Sequence, residues 1–71
     1  MTTQTEVPDL VFTAERVKLI RVRLGLTQQE FADHMGVGVN SIARWEGNGA
    51  RPSKAKMLNR LLAAEREAAG V

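Results

Sequence analysis

Helix-ending glycines and helix-starting polar residues follow one another so closely in the middle of this chain that only short helices fit between them. Gly25 and Gly36 are of the residue type that most often ends a helix in the left-handed conformation. Between them, Thr27 and Glu30 have the spacing of a capping box, in which each side chain binds the other residue's backbone N–H at a helix start. Gly38 follows Gly36 after a single residue. This pattern predicts short helices joined by tight turns and excludes one long helix.

Four helices are predicted from capping residues and from the spacing of apolar residues. Thr13 is predicted to cap the first helix and Ser53 the fourth, because hydroxyl groups accept hydrogen bonds from unpaired N–H groups at helix starts. Val17, Ile20 and Leu24 recur at helical spacing within the first segment. The predicted helices cover residues 14–24, 28–35, 39–46 and 54–69. The expected fold class is therefore all-α, a compact bundle of four to five helices.

The residues before Thr13 are predicted to form an arm, because Pro8 is incompatible with a helix running through this segment. Leu10 to Phe12 are apolar and are expected to dock on the core or on a second subunit, whereas the first residues are expected to be flexible. A chain of 71 residues has room for one domain. The expected organisation is an N-terminal arm over residues 1–12 and one domain over residues 13–71.

Composition excludes several classes of protein. With 44% hydrophobic and 25% charged residues, the chain is typical of a globular rather than a disordered protein. It has no cysteine, which excludes a disulfide scaffold and a thiolate zinc site. No apolar run approaches the roughly 20 residues of a membrane span, and the first residues lack the features of a secretory signal. We therefore expect a cytoplasmic protein.

No combination of residues predicts an enzyme. Gly36 and Gly38 supply half of a dinucleotide-binding fingerprint, but the third glycine position is Ser41 and the preceding segment is helical rather than a strand. His34 is the only histidine and lacks the partners that a metal site requires. Ser41 and Ser53 lack a histidine that could activate them as nucleophiles. We expect no catalytic residue, no metal and no cofactor.

The third predicted helix has a polar face that suits the major groove of DNA. Asn40 and Arg44 lie one helical turn apart, on the side opposite Ile42 and Trp45. Arginine pairs with guanine O6 and N7, and asparagine with adenine N6 and N7, each through two hydrogen bonds. The alternative is an ordinary solvated surface, since any exposed helix can carry an Asn and an Arg. Apart from Arg44, the side chains on this face are small, and none is a carboxylate. Both features favour insertion of the helix into the major groove of DNA.

Basic residues flank this helix in sequence, although the net charge is only +2. Arg51, Lys54 and Lys56 follow it, where a loop and the next helix start could meet phosphates. Backbone N–H groups near Asn48 and Gly49 would add donors. A solvated surface is again the alternative interpretation.

The segment RVRLGLTQQEFADHMGVGVNSIARWEGNGARPS resembles the lambda-repressor-like (Xre/Cro type) helix-turn-helix domain. The resemblance covers roughly residues 13–62 and implies that the third helix lies in the major groove, in a homodimer on a palindromic site. By position, the residues facing the bases would be Val39, Asn40 and Arg44. Those near the DNA backbone would be Gln28, Gln29, Ser41, Asn48, Gly49, Arg51 and Lys54. The matching residues are Leu26, Thr27, Gln28, Glu30, Ala32, Gly36, Val37, Ile42, Arg44, Trp45, Glu46 and Pro52.

Two interpretations of function remain open at this point. The first is a sequence-specific regulator of transcription, most simply a repressor, whose partner is double-stranded DNA. The segment GVNSIARWE also resembles the DNA-binding part of antitoxins of the HigA and MqsA kind and of small phage repressors. An antitoxin would bind a toxin as well as its own operator. A protein-interaction module without DNA specificity is a further alternative.

Overall fold

The computed structural model describes residues 10–70, and within that range it contains four α-helices and no strand. They are α1 (Ala14–Arg23), α2 (Gln28–Met35), α3 (Val39–Glu46) and α4 (Ala55–Ala69). The prediction of an all-α bundle is therefore confirmed, with four helices. Of the predicted arm over residues 1–12, residues 1–9 lie outside the described part of the chain.

α1 begins at the predicted residue and ends one residue before the predicted bound, with Leu24 as its C-cap and Gly25 beyond it. The Thr13 hydroxyl accepts a hydrogen bond from the Arg16 N–H at 3.2 Å. At the other end, Gly25 has a φ of +73°, which brings the Leu26 N–H to 3.1 Å from the Arg21 carbonyl. This backward bond across a left-handed glycine is the Schellman ending of a helix.

α2 is defined at its start by the predicted capping box. The Thr27 N–H donates to Glu30 Oε1 at 2.8 Å, and the Glu30 N–H donates to the Thr27 hydroxyl at 3.1 Å. At its end, Gly36 has a φ of +74°, and the Val37 N–H reaches the Ala32 carbonyl at 3.0 Å. Because both ends are closed by local hydrogen bonds, eight residues suffice for a well-bounded helix.

The predicted cap of α4 is wrong by one residue. Lys54, with φ −74° and ψ 136°, occupies the N-cap position, and no side chain binds the first N–H groups. Its carbonyl accepts the first helical hydrogen bond, from the Leu58 N–H at 2.9 Å. Ser53 lies one residue outside this position, because the extended backbone continues through Lys54 before the helix begins. The start of α4 therefore has no side-chain cap.

All four helices contribute to one apolar core. Its largest members include Val17 from α1, Phe31 from α2, Ile42 from α3 and Leu61 from α4, and all four are completely buried. Each such side chain stabilises the fold by roughly 1.5–3 kcal/mol. Phe12 joins them from the segment before α1, with the Arg16 guanidinium 3.9 Å above its ring. Of the three apolar residues expected to dock, Phe12 alone is buried.

We expect Gly36→Ala to destabilise the fold more than Gly25→Ala. Alanine in the left-handed conformation costs roughly 1–2 kcal/mol at either position. A Cβ at residue 25 meets nothing within 4 Å, whereas one at residue 36 would lie 2.7 Å from Arg60 Nη1. That nitrogen donates to the Met35 carbonyl at 2.8 Å, and losing this bond adds about 0.5–1.5 kcal/mol. Urea unfolding measures both values, and equal losses would contradict the role given to Arg60.

Candidate nucleic-acid interface

α2 and α3 form a tight helical pair, because only Val37 and Gly38 follow the glycine that ends α2. Gly38 occupies the N-cap of α3 in an extended conformation and provides no side-chain cap. Its carbonyl accepts a hydrogen bond from the Ser41 N–H at 3.0 Å. Two short helices joined by a glycine-containing turn have the geometry of a helix-turn-helix unit.

α3 has one buried side and one exposed side. Ile42 is completely buried, and Trp45 is partly buried against the core. On the opposite side, Asn40 and Arg44 are exposed, and within residues 10–70 neither side chain forms a hydrogen bond or an ion pair. Val39, the third predicted base-facing residue, is partly buried and packs against the core. Asn40 and Arg44 are therefore the side chains of α3 most available to a ligand.

Three of the predicted backbone-binding residues come together beside α3. Ser41, Arg51 and Lys54 line one open cavity of about 270 Å³, with Trp45 and Met57 in its wall. Arg51 and Lys54 are exposed, and their charges lie next to the uncapped start of α4. Cations and unpaired N–H groups at a helix start both favour an anion. This side of the molecule therefore suits a phosphate.

The loop after α3 offers fewer donors than its sequence predicts. Asn48 has a φ of +63°, which turns the chain back toward the end of α3. The N–H of Gly49 donates to the Arg44 carbonyl at 2.8 Å, and the Ala50 N–H approaches the same oxygen at 3.3 Å. The predicted Gly49 donor is therefore already engaged. The N–H of Asn48 has no acceptor among residues 10–70.

The two glutamines at the start of α2 are held differently. Gln28 is partly buried, and its Nε2 donates to Glu46 Oε1 at 3.2 Å. Gln29 is exposed, and its Nε2 donates to Asp33 Oδ1 at 3.1 Å along the surface of α2. Gln28 thus links the start of α2 to the end of α3, which sequence reasoning missed because the two residues are distant in sequence. Gln29 keeps the more accessible amide.

Arg21 makes the central polar contact beneath α2 and α3. Its Nε and Nη2 donate to the two carboxylate oxygens of Glu46 at 2.7 and 3.0 Å, and its Nη1 donates to the Leu26 carbonyl at 2.9 Å. The side chains of Arg21 and Glu46 are only 15% and 6% exposed. A two-point pair of this kind fixes orientation as well as distance. Glu46, the last residue of α3, is thereby joined to a basic residue of α1.

The hydrogen-bonded Glu46 carboxylate raises the pKa of Arg21 above its ordinary value, and burial opposes this effect only in part. A raised pKa means that the folded state favours the charged guanidinium. The stability contributed by this charge is fully present below the ordinary arginine pKa, and it is lost only when the pH rises through the folded value. The Arg21 guanidinium therefore stays charged throughout the neutral range.

The potential metal ligands, the helix lengths and His34 complete the description of residues 10–70. These residues contain no group of three potential metal ligands, and none of their helices is long and apolar enough to cross a membrane. His34 is exposed, with its Nε2 2.9 Å from Glu67 Oε1 and its ring stacked on Phe31. It links α2 to α4.

A protein-family model described as helix-turn-helix matches residues 17–64. The matched range covers most of the described structure, including all of α2 and α3, the cavity beside them and the Arg21–Glu46 pair. No curated protein and no solved structure matches the chain.

We expect Glu46→Ala to lower the free energy of unfolding by about 3 kcal/mol, because it leaves the Arg21 charge in a mostly buried place without its partner. The double variant Arg21→Met/Glu46→Leu should recover most of this loss, since it removes both charges and keeps apolar volume. Glu67→Ala is the matched control, because the His34–Glu67 contact is exposed and is worth about 0–1 kcal/mol. Urea unfolding of the four proteins tests this. A loss at Glu46 no larger than that at Glu67 would show that the pair is dispensable.

Proposed function

Because the chain belongs to the Xre, or lambda-repressor-like, family of helix-turn-helix DNA-binding regulators, we propose that it is a repressor that reads a palindromic operator as a homodimer. The observation that supports this most directly is the exposed side of α3. There, the side chains of Asn40 and Arg44 form no hydrogen bond or ion pair within residues 10–70, while Ile42 anchors the opposite side in the core. A regulator of this kind acts where the DNA is, so the proposal includes a cytoplasmic location.

Base recognition is assigned to α3, which enters the major groove. Arg44 pairs with a guanine through its guanidinium, and Asn40 pairs with an adenine through its amide. Val39 contributes an apolar contact, for which a thymine methyl group is the natural partner. The N-terminal half of α3 carries Val39 and Asn40, so this end of the helix lies deepest in the groove. Trp45 stays against the core and supports the helix from behind.

Phosphate contacts are assigned to the residues that surround α3. Arg51, Lys54 and Ser41 line one cavity beside it, and Lys54 is also the N-cap residue at the uncapped start of α4. Gln29 adds an exposed amide, and Gln28 holds the start of α2 to the end of α3. In the Asn48–Gly49 turn, the Asn48 N–H has no acceptor among residues 10–70 and is the donor assigned to a phosphate. Phosphate contacts of this kind supply affinity and register, not sequence preference.

Selection of bound sites from random DNA tests the proposal as a whole. We expect a palindrome whose half-site centres are about 34–36 Å apart, which is one turn of B-DNA. A protein that enriches no sequence would overturn the assignment of a specific regulator. An enriched site without two-fold symmetry would overturn the homodimer.

Arg44→Ala should cost about 1–3 kcal/mol on the selected site and should relax the preference at one base pair of each half-site. The reason is that one two-point contact with a guanine is lost while the phosphate contacts remain. Fluorescence anisotropy on the selected site and on its single-base variants measures both effects. Arg66→Ala is the control, because it removes an equal charge from an exposed position near the end of α4. If Arg44→Ala weakens binding to cognate and random DNA equally, Arg44 does not read a base.

Lys54→Ala should weaken selected and random DNA by the same factor, because a lysine–phosphate contact carries no sequence information. It should also reduce the slope of log K against log salt by about 1. Titrations at several salt concentrations measure this slope, with Arg66→Ala again as the charge control. A slope unchanged from wild type would remove Lys54 from the proposed backbone contacts.

A further inference from the structure

One face of α1 exposes apolar side chains that nothing in the described structure covers. Leu19 is 49% exposed and Val22 is 54% exposed, although both are large apolar residues. They share a shallow surface depression of about 270 Å³ with Glu15 and Lys18. We call these four residues the α1 patch. Their spacing is i, i+3, i+4 and i+7, so they form a single stripe along the helix.

The α1 patch lies on the side of α1 that faces away from the core. The core side of this helix is formed by Val17 and Ile20, which are buried. A solvated helix face normally carries charged residues, and scattered single apolar residues need no explanation. Here, however, Leu19 and Val22 are adjacent on one stripe and form a small continuous apolar surface rather than two isolated residues.

The other helices offer no comparable surface. On α4, the large apolar residues are buried or partly buried against the core, and its exposed residues are small, polar or charged. Among residues 10–70, the exposed large apolar residues are Leu10, Val11, Leu19 and Val22. Since the first two precede α1, α1 is the one described helix with such a face.

We propose that the α1 patch is the surface through which two copies of this chain contact each other on DNA, a step that rests on the proposed function as a dimeric regulator. The argument for a second copy is charge complementarity. The patch carries one acid, Glu15, and one base, Lys18, beside its two apolar residues. In a two-fold interface every contact occurs twice, so Glu15 of each copy pairs with Lys18 of the other. A surface that binds a strongly acidic or strongly basic partner would carry an excess of the opposite charge instead of one acid and one base.

The small size of the patch makes the contact weak. Two half-exposed apolar side chains can bury far less surface area than the roughly 800 Å² per partner that a standard stable interface buries. The free protein is therefore mainly monomeric at low concentration. Two half-sites on one DNA molecule bring two copies together at a high effective concentration, so a weak contact suffices there. The contact then appears as cooperative binding.

The patch is also rigidly connected to the base-reading helix. Val22 is followed along α1 by Arg23 and preceded by Arg21, and Arg21 binds Glu46 at the end of α3. A contact between two patches thus fixes the relative positions of the two α3 helices. In this arrangement, the spacing of the half-sites is set by the surface of α1.

A charge-exchange experiment tests the proposal. Glu15→Lys places two lysines against each other at each pair of contacts, and Lys18→Glu places two glutamates there. We expect either variant to lose about ten-fold or more in cooperativity, measured by anisotropy as the ratio of affinities for the full palindrome and a single half-site. An equimolar mixture of the two variants should restore the ratio, because each mixed contact pairs Lys with Glu. The double variant Glu15→Lys/Lys18→Glu should restore it too, at unchanged net charge.

The apolar half of the patch has its own control. Val22→Glu should abolish cooperativity, whereas Ala63→Glu, which adds the same charge at an exposed position of α4 outside the patch, should preserve it. Circular dichroism verifies that each variant keeps its helices. Cooperativity that survives Val22→Glu, or a mixture that restores nothing, would overturn the proposed surface.

Sedimentation equilibrium at high protein concentration repeats the comparison without DNA. Self-association that follows the same pattern of loss and rescue supports the α1 patch even if site selection fails. Self-association that is unchanged in all these variants overturns the proposed role of the α1 patch, even if site selection succeeds. The proposed function and the proposed surface therefore fail by different measurements.

Discussion

The Arg21–Glu46 ion pair is the contact on which the geometry of the proposed DNA-binding surface depends. α3 has eight residues, and the core holds it through the completely buried Ile42 and the partly buried Val39 and Trp45. An isolated helix of this length is not stable in water. Glu46 adds a further point of attachment at its C-terminal end, through two hydrogen bonds to Arg21. Because Arg44 lies two residues before Glu46, the same attachment sets the direction of the proposed base-reading side chain.

Such a pair orients the helix more than it stabilises the fold. Removing two charges from water is costly, and a buried pair often contributes no more than apolar residues of the same size. A guanidinium that donates to Glu46 and to the Leu26 carbonyl, however, permits one arrangement of α1, the turn after it and α3. Gln28 extends the network to α2 through Glu46. For a domain of this size, which buries a limited core, polar contacts of this type are an efficient way to define a single geometry.

Features that depend on neighbouring residues were predictable from the sequence. Thr13, the Thr27–Glu30 capping box and the left-handed glycines each act within a few residues, so the start of α1 and both bounds of α2 followed from local patterns. Ser53 was misassigned because a hydroxyl group favours the cap position but does not decide where the extended backbone ends. The segment before α4 is instead positioned by tertiary packing, with Pro52 buried. Local preference was overruled there by a contact that no local pattern contains.

In the candidate site, too, some features could be predicted from local sequence patterns and others depend on tertiary packing. Asn40 and Arg44 could be assigned to one exposed side of α3 because helical periodicity separates them from Ile42. The hydrogen bond from Gln28 to Glu46 spans 18 residues, and the engagement of the Gly49 N–H depends on the left-handed Asn48. Neither follows from periodicity. The partial burial of Val39 likewise depends on how closely α3 packs on its neighbours.

The distribution of helix caps and charge has a consequence for how tightly one copy can bind. α1 and α2 have side-chain caps, whereas α3 and α4, which border the proposed DNA surface, do not. Their unpaired N–H groups favour phosphate, but the net charge of +2 provides little long-range attraction. Since affinity for DNA rises with the number of neutralised phosphates, a single copy with few cations near α3 gains little from non-specific sites. Two copies on one palindrome double both the phosphate and the base contacts. Weak attraction to random DNA, combined with pairing of two copies, therefore favours specific sites over the excess of non-specific ones.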